Sequence, residues 1–467
     1  MKAVSAIRIP AFTRGWASDD NSGMKLLRVV AAVLLAVCAA VPTIHALEKQ
    51  PAKVYQARRV ALSEKLNGGV AVLFAAREPV LDFMAYRQDS EFYYLTGWTE
   101  PGAALVVESA AGDRAYKEIL FLPTRNLRLE QYTGPKLDAA TPGVAEKTGV
   151  AAVQPMTELP AVLNALIAKD RKQSRNLWAQ PDSAEAKALA VFTAATLGMD
   201  STPALHDVTD AVDELRLVKD AGEIALMQKA AAASMAAQWE MMRAVKPGVT
   251  ELAIAGRMGA VWAGKGCERA SYAPIVGSGI NATILHYAEN AKTIDDGDLV
   301  VVDAACEYSM YAADITRTVP ANGHFTARQR EIYNIVLGAQ QAAIGAFVVN
   351  HSTINDYQRE DPNSLDTAAY NYINTHGKAL DGAPLGKYWL HGLGHMIGLD
   401  VHDPATYPAV LKPGMVFTIE PGIYIPEEKI GVRIECHFLV GEDGKLIDLD
   451  AALAHTADEV EAAMRAK

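Results

Sequence analysis

Four acidic side chains stand in otherwise apolar, strand-like segments in the second half of this 467-residue chain. They are Asp303, Asp314, Glu420 and Glu435. An unpaired charge in a buried strand is costly, so each acid needs a partner, which for any single one could be a simple salt bridge. Antiparallel pairing would place Asp303 beside Asp314 around a short turn, and Glu420 and Glu435 together in a second hairpin. Four carboxylates on one face require a cation.

Histidines are candidates for the remaining ligands. Nine of the eleven in the chain follow residue 280, in the same half as the four acids. His391 and His395 have the i, i+4 spacing of a helical zinc motif, but the glycines around them argue against a helix, and no Glu stands at position 392. An irregular or strand-like segment would present the two rings separately, one to metal and one to substrate. His286 and His402 are further candidates. The structural histidines are predicted to be His206, His324, His351, His376 and His455.

Four carboxylates and one imidazole form a ligand set that suits two hard or borderline divalent ions. Two such ions would balance the four negative charges, with two of the carboxylates bridging. Ions ~3.5 to 4 Å apart can share a water, lower its pKa and stabilise the oxyanion that forms when the water attacks a carbonyl. The residues therefore predict metal-assisted hydrolysis.

The elements that must position these residues are helices interleaved with runs of strands. Helices are predicted at 220–245, 250–266, 326–347 and 366–378. Strands are predicted at 271–277, 298–304, 311–318, 414–425 and 430–440. The third helix begins with a capping box, formed by Thr326 and Gln329. This order indicates an α+β domain with a curved antiparallel sheet.

The preceding part of the chain alternates predicted helices with short apolar strands, which is typical of an α/β domain. Helices are predicted at 51–66, 158–169 and 184–197. Strands are predicted at 69–76, 103–108 and 118–123. A charged connector begins at Asp213. We therefore expect an N-terminal α/β domain at 47–213 and a catalytic domain at 214–467.

Residues 1–46 are predicted to be a signal peptide. An apolar stretch of 13 residues, Val29–Val41, follows Lys25 and Arg28, and a cleavage site after Ala46 fits the pattern. The alternative is an uncleaved membrane anchor, but the stretch is short for a membrane span. Met24 would also serve as the start of this leader. The mature protein is expected to be exported, to the periplasm or out of the cell, with no membrane span.

Composition excludes several classes of partner and protein. The chain is 50% hydrophobic and 21% charged, which excludes a disordered protein. Its net charge of -11 becomes -14 without the leader, since 39 basic and 53 acidic residues remain. Such an acidic chain is not expected to bind nucleic acid, whose phosphates need a basic face.

Three cysteines remain after the leader, an odd number without the spacing of a thiolate zinc site. They are Cys267, Cys306 and Cys436. A disulfide framework is not indicated. One isolated disulfide is an alternative, but the expectation is that all three are small buried apolar residues.

A family resemblance covers roughly residues 51–445. The segments VVDAACEYSMYAADITRT (301–318), HGLGHMIGLDVHD (391–403), PGMVFTIEPGIYI (413–425) and GVRIE (431–435) closely resemble the pita-bread catalytic domain of the M24 metallopeptidases. The segments YRQDSEFYYLTG (86–97) and SYAPIVGSGINATILHY (271–287) resemble the aminopeptidase P group within that family. The resemblance implies an α/β N-terminal domain before an α+β pita-bread domain, and release of an N-terminal residue that precedes proline.

The resemblance also implies a role for each candidate residue. Asp303 would hold one ion, His395 and Glu420 the other, and Asp314 and Glu435 would bridge both. Glu420 would also act as general base. The scissile amide would be contacted by His286 and His402, the proline side by His391, and the carboxylates would be supported by Arg433 and Tyr424. The ions are expected to be Mn²⁺, with Co²⁺ or Zn²⁺ possible.

The sequence departs from the family at three places, one of which is the stretch 348–366 without the usual Pro-Gly loop, and it leaves two rival functions. Cys436 and His437 follow the last ligand, where relatives commonly have two acids, and Gln131–Gly134 replaces a Trp segment that reaches a neighbouring subunit's site. A homo-oligomer is still expected. Prolidases share the fold and the five ligands but cleave Xaa-Pro dipeptides. A non-catalytic binding protein would have lost metal ligands, so the intact set argues against it.

Overall fold

Six strands of the first half form one mixed sheet in the computed structural model, which describes residues 47–79, 84–168, 176–197 and 204–466. They are β1 Val70–Phe74, β2 Ala104–Glu108, β3 Lys117–Leu122, β4 Val153–Pro155, β5 Leu177–Ala179 and β6 Leu205–Asp207. Their order in the sheet is β4-β3-β2-β1-β5-β6. β1, β2 and β3 pair antiparallel, whereas β4, β5 and β6 join parallel to a neighbour. This mixture of pairings suits the predicted alternation of strands and helices.

Helices cover both faces of this sheet. They are α1 Ala52–Lys65, α2 Ser90–Thr96, α3 Glu130–Thr133, α4 Val144–Thr148, α5 Leu159–Ala168, α6 Ala184–Leu197 and α7 Thr209–Arg216. Successive side chains of a strand point to opposite faces, so Val70 and Val72 belong to the apolar cluster of α5 and α6. Ala71 and Leu73 belong instead to the larger apolar cluster, which continues into the second half of the chain.

The second half combines helices with short antiparallel ladders. The helices are α8 Ala221–Ala244, α9 Glu251–Gly264, α10 Ala327–Ala346, α11 Leu365–His376 and α12 Ala457–Arg465. The strands are β7 Arg269–Ala270, β8 Ile275–Ser278, β9 Leu299–Asp303, β10 Cys306–Tyr308, β11 Tyr311–Ala312, β12 Thr316–Pro320, β13 Thr353–Ile354, β14 Ala409–Val410, β15 Val416–Ile419, β16 Gly422–Ile425, β17 Ile430–Arg433, β18 Cys436–Val440 and β19 Leu446–Asp448. The predicted capping box is confirmed, because Thr326 and Gln329 satisfy each other's backbone N–H groups at the start of α10.

The long predicted strands are interrupted at their acidic residues. Asp303 ends β9, Asp314 lies between β11 and β12, Glu420 lies between β15 and β16, and Glu435 lies between β17 and β18. The predicted short turn between the two aspartates is wrong, since the β10–β11 hairpin stands there and pairs with β7. Within a strand, successive side chains point to opposite faces of the sheet. At a break the backbone can turn, so the direction of the carboxylate is no longer set by this alternation.

Cys267 and Cys306 form a disulfide, which corrects the expectation that all three cysteines are unpaired. Their Cα atoms lie 6.1 Å apart because Cys306 is in β10, which pairs with the strand that begins two residues after Cys267. Cys436 is free and buried, as expected.

The predicted leader lies outside the described residues. The described residues all belong to one compact unit. Within these residues, we found no helix with the length and apolar character needed to cross a membrane.

Candidate active site

Two buried glutamines hold the strand breaks at which the acids lie. Gln238 of α8 donates its amide hydrogens to the carbonyls of Ala304 and Ile315, at 3.1 and 2.9 Å. These carbonyls are one residue from Asp303 and Asp314. The backbone next to both aspartates is therefore fixed by one side chain.

The same arrangement occurs at the two glutamates. Gln340 of α10 donates to the carbonyls of Ile419 and Ile434, at 2.9 and 3.2 Å. The ladders on either side pair Ile419 with Cys436 and Gly422 with Arg433, so Glu420 and Glu435 stand opposite each other at the gap. Each glutamine thus supports one pair of carboxylates.

The breaks bring all five predicted ligands together in overlapping groups. Asp303, Asp314 and Glu435 have carboxylate oxygens within 4.8 Å of one another, and the same limit holds for His395, Glu420 and Glu435. A third group joins Asp314 and His395 to His402. Glu435 belongs to both main groups, and Asp314 lies against each of them. The arrangement therefore offers two overlapping sets of three donors, each of which could hold a cation.

Burial makes the acidic group unfavourable without cations. Burial raises the pKa of Asp314 well above its usual range, and the adjacent Asp303 raises it further. Burial likewise raises the pKa values of Glu420 and Glu435, with other carboxylates of the group as the next cause. The native fold therefore gathers charges that repel one another, which points to an external counter-charge.

Arg433 is the guanidinium that contacts this group. Its Nη2 donates to Asp303 Oδ2 at 2.6 Å and its Nη1 to the Tyr424 hydroxyl at 2.8 Å. The Tyr424 hydroxyl lies 2.8 Å from His391 Nε2, and His391 Nδ1 lies 2.7 Å from the Gly392 carbonyl. Burial, aided by the charge of Arg433, lowers the pKa of His391 to about 3. A neutral ring that donates from Nδ1 and accepts at Nε2 satisfies both contacts.

The segment from His391 to His395 is irregular, as predicted. It runs so close to β15 that a side chain at Gly394 would collide with the Thr418 carbonyl. His395 Nε2 lies 3.5 Å from both Asp314 Oδ2 and Glu420 Oε1. Its Nδ1 lies 3.0 Å from the Met396 carbonyl, which orients the ring with Nε2 toward the acids.

Two cavities meet at the acidic group. The larger, of about 410 Å³, is lined by His391 and Tyr407 among others, and the smaller, of about 290 Å³, by Tyr272 and Val401. His286 and His402 line both, so they stand where the cavities join. Burial lowers the pKa of His402 to about 4, with the neighbouring His395 ring as a further cause. A neutral imidazole at this point can donate a hydrogen bond to a substrate carbonyl.

This donor set fits divalent metal ions. Four carboxylates face the single guanidinium of Arg433 among the described residues around the site, which leaves a surplus of negative charge. Glu435 Oε1 is buried and accepts no hydrogen bond. Oxygen-rich ligation with one imidazole is typical of hard or borderline divalent cations.

Comparison with known proteins agrees with this geometry. Residues 225–442 match metallopeptidase family M24, and residues 55–178 match the aminopeptidase P N-terminal domain. The Xaa-Pro aminopeptidase of Escherichia coli (strain K12) is 34% identical over 441 residues, which cover 88% of this chain and 97% of that protein. This chain belongs to the M24 metallopeptidase family.

Solved structures of M24 metallopeptidases confirm the predicted fold class. Proline aminopeptidase P II from Yersinia pestis has a TM-score of 0.79 at 32% identity and covers 89% of this chain and 99% of its own. A Zn-substituted Escherichia coli aminopeptidase P in complex with product has a TM-score of 0.77 at the same identity and coverage. The chain therefore has an aminopeptidase P-type N-terminal domain before an α+β pita-bread domain, and it is a metallo-aminopeptidase that uses divalent metal ions.

Three polar residues of this M24 metallopeptidase site were missed in the sequence. The Tyr272 hydroxyl lies 2.5 Å from Asp303 Oδ1 and 2.6 Å from Asp314 Oδ1. The Thr316 hydroxyl donates to Glu435 Oε2 at 2.7 Å, and Thr418 Oγ1 accepts from the backbone N–H of His395 at 3.1 Å. Each threonine is in a strand beside a ligand, where alternation could have indicated an inward-facing hydroxyl.

Residues of the motif at 86–97 make hydrogen bonds to the loop that carries His402 in this M24 metallopeptidase. Arg87 Nη2 donates to the Leu399 carbonyl at 2.6 Å, and the Ser90 hydroxyl donates to Asp400 Oδ1 at 2.7 Å. These contacts give the motif a positioning role, because both act two or three residues from His402.

Proposed function

We propose that this metallo-aminopeptidase releases the N-terminal residue from peptides whose second residue is proline. The observation that carries the proposal is the pair of ligand groups that share Glu435 where two cavities meet. The proposed specificity for proline is supported by the relatives that match most of the chain, which are an Xaa-Pro aminopeptidase and a proline aminopeptidase. An Xaa-Pro bond lacks an N–H, so its cleavage favours a dedicated site.

Two divalent ions would be held by Asp303, Asp314, His395, Glu420 and Glu435, and they would lower the pKa of a water and stabilise negative charge on the scissile carbonyl oxygen. We propose Mn²⁺ as the native metal, because carboxylates outnumber the single imidazole among the ligands. Co²⁺ and Zn²⁺ are the alternatives. Reconstitution of metal-free protein with each ion in turn tests this choice, and higher kcat/KM with Zn²⁺ than with Mn²⁺ would overturn it.

Glu420 is the proton carrier in this proposal. It lines the larger cavity beside His391 and His395, so it can reach both the attacking water and the leaving nitrogen. It would take a proton from the water as the new carbon–oxygen bond forms. It would then give the proton to the proline nitrogen as the carbon–nitrogen bond breaks.

The histidines orient the substrate rather than carry protons. His286 and His402 stand at the junction of the two cavities, where each can donate a hydrogen bond to the scissile carbonyl oxygen as it gains charge. His391 is fixed between Tyr424 and the Gly392 carbonyl, so it can serve as a rigid wall for the proline ring. Arg433 holds both Asp303 and Tyr424.

Purified protein loaded with Mn²⁺ should release alanine from Ala-Pro-Ala, and Glu420→Gln should abolish this activity. Ala-Pro and Ala-Ala-Ala serve as comparisons, because the first is a prolidase substrate and the second lacks proline. Cleavage of Ala-Pro alone would favour a prolidase and contradict the proposal. Cleavage of neither proline peptide by a folded, metal-loaded protein would favour a binding function.

We further propose that the mature enzyme is exported and is a homo-oligomer. The leader pattern of residues 1–46 supports export, and the Cys267–Cys306 disulfide suits an oxidising compartment. Leu127, Leu129 and Tyr132 are large and exposed on one short segment, which supports a subunit contact. N-terminal sequencing of the native protein tests cleavage after Ala46, and light scattering tests the assembly.

A further inference from the structure

If the protein has the proposed function, each cavity holds the part of the substrate on one side of the scissile bond. One residue precedes that bond, whereas the leaving peptide has no fixed length and must extend to solvent. The smaller cavity is lined largely by apolar and aromatic residues such as Ile275 and Val401, and it can house a single residue. The larger cavity reaches Tyr357, a residue that is 68% exposed, so this cavity offers the exit.

The segment 355–361 contributes Asn355 and Tyr357 to the lining of the larger cavity, and it lies outside every motif that indicated the family. Asp366 links this segment to the irregular segment from His391 to His395 through two hydrogen bonds. Its Oδ2 accepts the backbone N–H of Asn355, and its Oδ1 accepts the backbone N–H of Leu393, each at 2.8 Å. A side chain at Gly392 would collide with Asn355, so the two segments are in direct contact.

Arg359 fixes the other end of the segment. Its Nη2 donates to the His391 carbonyl at 2.8 Å, and its guanidinium stacks 4.3 Å from the Trp389 ring and 4.7 Å from the Tyr370 ring. The positive charge is therefore turned away from the cavity and into an aromatic cage. The segment presents Asn355 and Tyr357 to the cavity, and Tyr357 is its aromatic residue there.

We propose that Tyr357 determines which residue is accepted immediately after the proline. Tyr357 lines the cavity together with Pro404, Ala405 and Tyr407, which form an aromatic and apolar patch in a cleft that also holds the acidic group. A proline held against His391 places the next residue one step closer to the exit and thus against this patch. The patch selects a bulky apolar or aromatic third residue.

Two tetrapeptides that differ only at the third residue test this proposal. The wild-type enzyme should cleave Ala-Pro-Phe-Ala with a higher kcat/KM than Ala-Pro-Gly-Ala. Tyr357→Ala should lower kcat/KM for the phenylalanine peptide about fivefold, mainly through KM, and leave the glycine peptide unchanged, because one aromatic contact is lost. Tyr357→Phe keeps the ring and should keep the selectivity.

Matched controls separate the role of the ring from a general loss of fold. Arg359→Met should also reduce the preference for phenylalanine, because the segment loses its anchor to the His391 carbonyl. Phe192→Ala removes an exposed aromatic ring from α6 and should change neither peptide. Equal kcat/KM for both peptides in the wild type, or an equal loss for both in Tyr357→Ala, would overturn the proposal. Failure of the wild type to release alanine from either peptide would overturn the proposed function itself.

Discussion

Gln238 and Gln340 make equivalent hydrogen bonds at two separate strand breaks. Each donates both amide hydrogens across a gap, the first to the carbonyls beside the two aspartates and the second to the carbonyls before the two glutamates. Both side chains are buried on helices, at 0 and 2% exposure. The position of the four carboxylates therefore depends on two polar side chains that would not themselves touch metal or substrate.

Gln340→Met should lower both stability and metal affinity. Methionine has a similar shape but no donor, so two buried carbonyls lose their partner, at ~1–3 kcal/mol each. We expect a loss of about 2–6 kcal/mol in the free energy of unfolding, measured with denaturant on metal-free protein, and weaker Mn²⁺ binding by calorimetry. Gln131→Met, at an exposed site, is the control. An unchanged Mn²⁺ affinity would show that the break holds its shape without the amide.

Local sequence patterns predicted which acids lie together more closely than they predicted the path of the backbone. The four acids were identified because a charge in an apolar strand needs a counter-charge, and this argument does not depend on where the strand ends. The strand interruptions at Glu420 and Glu435 could not be predicted from local sequence. The carbonyls beside them are held by Gln340, which is 79 and 94 residues away in the chain. The irregular segment at His391 was predictable because its glycines act locally.

Contacts between distant segments account for the remaining errors. The Cys267–Cys306 disulfide depends on the pairing of β7 with β10, which sequence periodicity does not specify. Tyr272 meets Asp303 and Asp314 from a segment 31 and 42 residues away. The segment that carries Tyr357 lies between the predicted helices at 326–347 and 366–378, and local patterns could not place it because its position depends on Asp366 and Arg359.

Glu420→Gln should change stability in opposite directions with and without metal. In the metal-free protein the substitution removes one of four charges that repel one another, so the melting temperature should rise. With Mn²⁺ present the variant should be stabilised less than the wild type, because it loses a ligand. Activity should fall by at least about 100-fold, the lower range for loss of a general base. Thermal scans with and without Mn²⁺ measure the first two effects.

Glu427→Gln is the matched control for this substitution, since Glu427 is an exposed acid between β16 and β17. It should leave the melting temperature and the activity unchanged. A metal-free Glu420→Gln variant that melts below the wild type would contradict the electrostatic account of the site.

Asp403→Asn should strongly destabilise the fold. Asp403 lies next to His402 and is buried against two cations, with Arg216 Nη2 2.7 Å from Oδ1 and Lys219 Nζ 2.9 Å from Oδ2. Removal of the negative charge leaves both cations buried without it, which costs ~3–5 kcal/mol. Denaturant unfolding measures the loss. Asp443→Asn, in an exposed pair with Lys445, is the control and should leave the free energy of unfolding nearly unchanged, because solvent screens that pair.

A double-mutant cycle separates charge from packing at this pair. If the cost of Asp403→Asn comes from the unpaired ammonium of Lys219, then adding Lys219→Met should recover part of the stability. Additive costs would contradict a direct interaction between the two side chains.

Asp213→Asn should stabilise the protein, and the gain should depend on pH. Burial raises the pKa of Asp213 to about 7, against an attraction to Arg216 that lowers it, and Oδ1 accepts no hydrogen bond. Between the unfolded value of 3.8 and about 7, the folded state binds more protons than the unfolded state. Wild-type stability therefore falls as pH rises through this window. The gain from Asp213→Asn should be largest at pH 8 and should vanish as the pH falls below the unfolded value of 3.8.

Asp210→Asn on the same helix is the control for that pH dependence, because Asp210 is exposed. Its effect on the free energy of unfolding should be small and nearly constant between pH 5 and 8, because its side chain lies in solvent in both the folded and unfolded states. Urea unfolding of the wild type and both variants across this range gives the comparison. A gain for Asp213→Asn that is the same at pH 5 as at pH 8 would show that its carboxyl is not desolvated in the folded protein.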